Sequence, residues 1–173
     1  MDAQCFNRPR SLSVEPALLA ELSALNADYA ACLDGARYAD WVELFAAQCE
    51  YRLQPRENFE QGLPLCTMAL ESRGMLHDRV YGIEHTLFHQ PYHQRHVLGP
   101  VRVISIEQAE GSLRLTAETP YVVFRVRHGE LPEVFNVGRY LDELVREAGR
   151  LKFASRWAIF DSEMVANSII YPV

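Results

Sequence analysis

The chain has 173 residues, 49% of them hydrophobic and 23% charged, the composition of one ordinary folded domain, which excludes extensive disorder. Its net charge of −6 comes without any block of lysine or arginine, which excludes a nucleic-acid binder or a ligand for an anionic membrane. Apolar runs such as Tyr121-Val122-Val123-Phe124 are far shorter than the ~20 residues that a membrane-spanning helix needs.

Residues 1–12 are polar and proline-bearing and read as a flexible arm, with a single domain over residues 13–173. The start of the chain has no apolar core of a secretory signal. Its four cysteines, Cys5, Cys32, Cys49 and Cys66, match no zinc or cluster spacing. A chain of this size needs no disulfide staple, so free thiols in a reducing cytoplasm are expected.

The first element is a helix. Pro16 suits its first turn, with Ser13 as a possible cap. Leu18, Leu22, Leu25, Tyr29, Cys32 and Leu33 recur at helical steps, and Gly35 is placed as a stop. A second short helix carries Trp41, Leu44 and Phe45 on one face, and Cys49-Glu50-Tyr51-Arg52-Leu53 alternates like a strand. Residues 55–64 read as a loop, residues 65–87 as one helix or two short ones, and residues 88–94 as a break around Pro91.

From about residue 95 the pattern changes to four strand-like runs, VRVISIEQA, LRLTAETPYVVFRVRH, EVFNVGRYLDELV and LKFASRWAIFD. Their junctions carry the turn pairs Glu110-Gly111, His128-Gly129 and Ala148-Gly149, so the runs pair as an antiparallel meander. Pro120 and Gly138 fall inside runs and predict bulges or bends. Helices first and a long meander second is an α+β pattern. The expected architecture is a cone-shaped, curved antiparallel sheet with the N-terminal helices packed in its concave face, as in nuclear-transport-factor-2-like domains.

Sequence motifs for chemistry are sparse. No two of the nine glycines form G-x-G, and neither G-x-S-x-G nor H-E-x-x-H occurs. Four of the six histidines, His85, His89, His93 and His96, have helical spacing, but Pro91 breaks the helix that a shared metal would require. No cysteine lies two or three residues from a histidine, as a Rieske centre needs, so no cofactor or metal site is expected in this chain. Acid–base chemistry is the remaining option. His96, Asp40, Asp28 and Tyr51 could meet in a pocket of low polarity, where a His96–Asp40 pair would serve a dehydratase or isomerase. The aromatics Trp41, Phe45, Tyr121, Phe124, Phe153 and Trp157 read as core packing.

Several segments, taken in order, resemble a known family. They are YAACLDGARYADWVELFAAQCEYRLQPREN, the strand entry YHQRHVL, VGRYLD, KFASR, and Asp161 followed by the apolar NSIIYPV. Over roughly residues 20–173 the chain resembles the small (beta) subunits of aromatic-ring-hydroxylating dioxygenases. Within them it is most like those acting on aromatic acids, of the terephthalate dioxygenase and salicylate 5-hydroxylase types. The resemblance implies a structural, non-catalytic subunit. Its partner would be a large (alpha) subunit bearing the Rieske [2Fe–2S] cluster and a mononuclear Fe(II). The two would assemble as a hexamer of three and three, fed with NAD(P)H electrons through a reductase or ferredoxin. In such an assembly the outer face of the sheet is a candidate contact surface. Tyr121, Val123, Arg125 and Arg127 share one face of their strand, and Val122, Phe124 and Val126 share the other. The face mixing arginine and aromatic side chains is expected to point outward. The candidate interface residues are Arg95, His96, Arg125, Arg127, Arg139, Tyr140, Trp157 and Tyr171. The tail, residues 164–173, either docks on its own domain or touches a neighbour.

Overall fold

A computed structural model describes residues 12–86, 89–109, 112–165 and 168–173. The arm, all but Leu12, and the Glu110-Gly111 turn therefore lie outside the described residues.

Helix α1 spans Pro16–Asp34 with proline in its first turn. It buries Leu22, Leu25, Tyr29, Cys32 and Leu33, the periodic stripe expected, and also the polar Asn26. Glu15 rather than Ser13 occupies the cap position, without a side-chain cap bond. Gly35 closes the last turn at φ −92°, and the left-handed residue is Ala36, at φ 52°. Helix α2, Tyr38–Glu43, buries Tyr38, Trp41 and Val42.

The middle of the chain departs most from expectation. Strand β1 runs Phe45–Pro55, so Phe45 opens a strand instead of closing a helix. The expected loop contains a short helix, α3 Arg56–Glu60. Residues expected to be helical include a short strand, β2 Met68–Leu70, before helix α4 Arg73–Tyr81 and a π turn over Gly82–Thr86. Ser72 caps α4, accepting from the Met75 N–H. Strand β3, Tyr92–Leu98, starts directly after Pro91.

The four C-terminal runs are strands β4 Arg102–Ala109, β5 Ser112–Arg127, β6 Glu133–Glu147 and β7 Arg150–Phe160. They pair antiparallel in chain order, and β3 also lies antiparallel on β5. The sheet is nevertheless mixed. Its order is β2-β1-β7-β6-β5-β3, and β1 pairs parallel with β7. The β6–β7 turn uses positive φ at Ala148 (50°) and Gly149 (79°), as a tight hairpin requires.

The bulges are not at Pro120 or Gly138. The ladders shift between Val123 and Phe124, between Glu143 and Leu144, and between Val103 and Ser105. Pro120 sits where β5 passes from pairing with β4, at Glu118, to pairing with β3, at Tyr121, so its missing N–H breaks neither ladder. At Gly138 the β6 backbone approaches Ile159 and Phe160 of β7 too closely for any side chain.

The orientation of β5 is the reverse of that expected. Tyr121, Val123 and Arg125 are buried, while Val122, Phe124 and Val126 are half-buried on the outer face. Arg125 can face inward because Glu133 pairs with it at 2.7 Å and its guanidinium lies 4.1 Å over the Phe135 ring.

Candidate functional site

The inside of the cone is where a pocket would be, and side chains fill it. Tyr29 stands at its centre with Trp41, Phe45, Tyr140 and Phe153 packed edge-on or tilted around it at 5.6–6.5 Å. Tyr121 stacks on Tyr140 at 4.2 Å. Of these, Tyr29, Trp41, Phe45, Tyr140 and Phe153 have no exposed surface.

A charged pair lies in the same interior. Arg156 on β7 and Asp142 on β6 are register partners and fully buried. The guanidinium grips the carboxylate with two hydrogen bonds, Nε to Oδ1 at 2.8 Å and Nη2 to Oδ2 at 2.7 Å. It also donates to Asn26 Oδ1, and Asn26 donates to Thr119 Oγ1 at 3.3 Å. Three rings, Tyr29, Tyr140 and Phe153, lie 3.9–4.2 Å from the guanidinium carbon. Burial pushes the Asp142 carboxyl up from its ordinary value while Arg156 pulls against it. For Arg156, burial opposes the charge and Asp142 more than offsets that, so the guanidinium stays charged. Sequence reasoning missed this pair. The available signal was a single charge at inward-alternating positions on each of two adjacent strands, opposite in sign.

His96 does meet a carboxylate, but not the expected one. Its partner is Asp34, the last residue of α1, with Nδ1 2.6 Å from Oδ1 and the His96 backbone N–H 3.1 Å from both carboxylate oxygens. Asp40 is exposed and pairs with Arg37 at 2.9 Å, and Asp28 is exposed on α1. The His96 side chain has no exposed surface, and its Nε2 has no hydrogen-bond partner. Its ring meets Tyr29 edge-on at 6.4 Å rather than facing a cavity. The pair fixes β3 to the end of α1. A cleft of about 810 Å³ does exist, but His96 does not line it; its walls come from α1, the end of α2 and the β6–β7 hairpin, with residues such as Glu21, Leu25, Glu43, Glu147 and Lys152.

The other histidines diverge. His85 is exposed, His93 points outward from β3, and His89 sits 2.6 Å from the Tyr171 hydroxyl. Among the described residues no three His, Cys, Asp or Glu side chains are gathered as a metal would require. Cys32 and Cys49 are buried free thiols, and burial raises both above the ordinary thiol value. This donor set does not fit an iron–sulfur cluster.

The expected interface residues separate into two groups. His96, Arg125, Tyr140 and Tyr171 are buried within the chain and present almost no surface to a neighbour. Arg95 is exposed. Arg127, Arg139 and Trp157 are half-buried on the sheet. Trp157 donates to Glu50 at 2.7 Å, with Arg52 4.9 Å over its ring and Phe59 against its edge. One apolar strip on the outer sheet was not anticipated. Val97, Val122 and Val137 are register partners across β3, β5 and β6, and Phe124 and Val134 form the next row. Of these, Val97 is 52% exposed and Val134 59%.

The buried tyrosines give a pH test of the filled interior. Burial pushes Tyr51 up to about 12 and raises Tyr29, Tyr121 and Tyr140 well above the ordinary tyrosine value. In unfolded chains tyrosine titrates near 10. Between about 10 and 12 the folded state therefore holds more protons, so stability is intact below pH ~10 and falls as pH rises. The expected result is that tyrosinate absorbance rises cooperatively with loss of circular dichroism. A smooth titration of all eight tyrosines in a still-folded chain would contradict it.

Residues 17–157 match the family profile described as the SnoaL-like domain. The chain is 29% identical, over 88% of its length and 97% of the relative's, to the terminal oxygenase component subunit beta 1 of terephthalate 1,2-dioxygenase from a Comamonas species. It is 28% identical, over 88% of its length and 92% of the relative's, to the anthranilate 1,2-dioxygenase small subunit of Burkholderia cepacia. A crystal structure from Novosphingobium aromaticivorans, assigned as the beta subunit of an aromatic-ring-hydroxylating dioxygenase, superposes with a TM-score of 0.79. It is 30% identical, with 90% of this chain and 95% of that one covered.

Proposed function

We propose that this chain, which belongs to the SnoaL-like family and there groups with the small (beta) subunits of aromatic-ring-hydroxylating dioxygenases, is the structural subunit of an oxygenase acting on an aromatic acid. The observation that carries the reading is the filled cone. A subunit whose interior is packed with Tyr29, Trp41, Phe45, Tyr140 and Phe153 around an Arg156–Asp142 pair offers a rigid body and no reaction chamber. The same packing removes the support for a dehydratase or isomerase, because His96 Nε2 faces protein.

The partner is a large subunit carrying the Rieske [2Fe–2S] cluster and mononuclear iron, in a three-plus-three assembly, with electrons arriving through a reductase or ferredoxin. Those centres are assigned to the partner on the likeness to small subunits of oxygenases. No helix among the described residues is long and apolar enough to cross a membrane, and the free thiols suit a reducing cytoplasm. The test is co-expression with the large subunit, with iron content and visible spectrum taken on the purified protein. The complex is expected to be brown and the chain alone colourless. Stoichiometric iron in the isolated chain would overturn the division of roles.

The valine row on the outer sheet is the surface proposed for contact with a second small subunit. An apolar, charge-poor centre is what a subunit interface needs. Phe124→Asp, at a half-buried outer position, is expected to abolish assembly on gel filtration while shifting the melting temperature of the isolated chain little. Unchanged assembly would remove this face from the interface.

A further inference from the structure

The inside of the cone is closed by the chain's own tail, held as a ligand would be held. Residues 168–173 form neither helix nor strand, yet Tyr171 is 7% exposed and Val173 fully buried. Two tyrosine hydroxyls converge on one oxygen. Tyr29 donates to the Val173 carbonyl at 2.7 Å and Tyr51 at 3.1 Å. The Val173 N–H in turn donates to Tyr51 Oη at 3.1 Å. One residue earlier, Gln94 Nε2 donates to the Pro172 carbonyl at 3.3 Å. The Tyr171 ring rests 4.5 Å from Tyr92, 5.1 Å from His89 and 5.5 Å from Tyr38. Side chains from α1, α2, β1 and β3 thus recognise three consecutive residues through an aromatic slot and a few converging polar groups. That is the composition of a small-molecule site. Against the same Tyr29 ring, His96 keeps a buried Nε2 with no partner.

We propose that residues 171–173 are a tethered occupant of an internal binding site, and that the site they fill accepts a small aromatic carboxylate. One carboxylate oxygen takes the place of the Val173 carbonyl between the Tyr29 and Tyr51 hydroxyls. A carboxylate oxygen placed there accepts charge-assisted hydrogen bonds from both hydroxyls. The ring takes the place of the tail's apolar side chains. The tail keeps the site closed in the intact chain because a tethered occupant competes at high effective concentration. This inference concerns the chain alone and stands apart from its place in an oxygenase.

The test is a chain ending at Ile170, its fold checked by circular dichroism and a cooperative melt, titrated with benzoate by calorimetry. The intact chain is expected to give no saturable heat, and the truncated chain one-to-one binding. In the truncated chain, Tyr29→Phe and Tyr51→Phe are each expected to weaken benzoate by about ten-fold, the worth of one hydrogen bond to a charge. The free peptide Tyr-Pro-Val should compete with benzoate and raise the melting temperature. A folded truncated chain that takes up no benzoate overturns the proposal, whether or not it takes up the peptide, as does equal benzoate binding by the intact chain. If truncation prevents folding, Tyr171→Ala in the full chain serves instead. Faster exchange of the Val173 amide together with benzoate uptake is expected there, and exchange without uptake overturns the proposal.

Discussion

Asp142→Ala is expected to destabilise the chain by about 3–5 kcal/mol, the cost of leaving a buried guanidinium without its counter-ion. Nothing nearby can replace the carboxylate. Asn26 already accepts from Arg156, and the other neighbours are the faces of Tyr29, Tyr140 and Phe153. These rings favour the cation, each by about 0.5–2 kcal/mol, but accept no hydrogen bond in the carboxylate's geometry. At about 2–4 °C per kcal/mol for a domain of this size, the melting temperature should fall by roughly 10 °C. Arg156→Met alone should cost less, because the flexible thioether fits among the rings and the stranded group is a carboxyl that can take up a proton. The double variant Asp142→Leu, Arg156→Met should recover most of the loss, since a well-packed apolar pair often matches a buried salt bridge. Denaturant melts of the wild type, the single variants and the double variant measure the coupling. A loss under about 1 kcal/mol for Asp142→Ala would mean that water reaches the pair and that the interior is not filled.

How far the sequence foretold this structure differs by region, for physical reasons. Helix α1 and strands β5 to β7 were legible because each buries one face over many residues, so its period of 3.6 or 2 repeats often enough to be read. Residues 55–72 were not, although the strand read at residues 49–53 lies within β1 and the helical reading of residues 65–87 contains α4. Strand β2 has three residues and α3 has five, lengths at which no period can show. The conformation of β2 is set by pairing with β1, as at Leu53↔Met68. Sequence alternation gives β5 the wrong orientation because Arg125 reads as an outward-facing charge. Glu133, on the neighbouring strand, neutralises it, and local sequence does not reveal that pairing. The acidic partner of His96 was misassigned for a related reason. Asp40 and Asp34 differ by six positions in sequence, but only Asp34 sits at the helix end that faces β3. The apolar tail fits its own domain and a neighbour equally well by sequence, and its hydrogen bonds to Tyr29 and Tyr51 place it on its own domain.

Gly138→Ala is expected to be about as damaging as loss of the ion pair, by a different route. Gly138 pairs with Tyr121 on one side and Phe160 on the other, in the middle of the sheet. A β-carbon there would lie 2.1 Å from the Ile159 carbonyl oxygen, 2.8 Å from the Phe160 α-carbon and 2.9 Å from the Ile159 carbonyl carbon. All three are backbone atoms, so no side-chain rotation relieves the contact and the strands β6 and β7 must part. Ile159 and Phe160 are buried, and the Asp161 N–H donates to the Val137 carbonyl at 2.8 Å immediately beside them. Separation here therefore opens the core and breaks the ladder together. Overpacking with a rigid neighbour costs about 3 kcal/mol, to which lost ladder bonds add about 1 kcal/mol each. The control is Gly129→Ala, at a hairpin tip with φ +78° and open space around the new carbon. That change meets only the left-handed backbone penalty of about 1–2 kcal/mol. Thermal melts of the two variants should therefore separate close approach from backbone conformation. Equal losses would show that Gly138 matters for its flexibility and that β6 and β7 have room to spare.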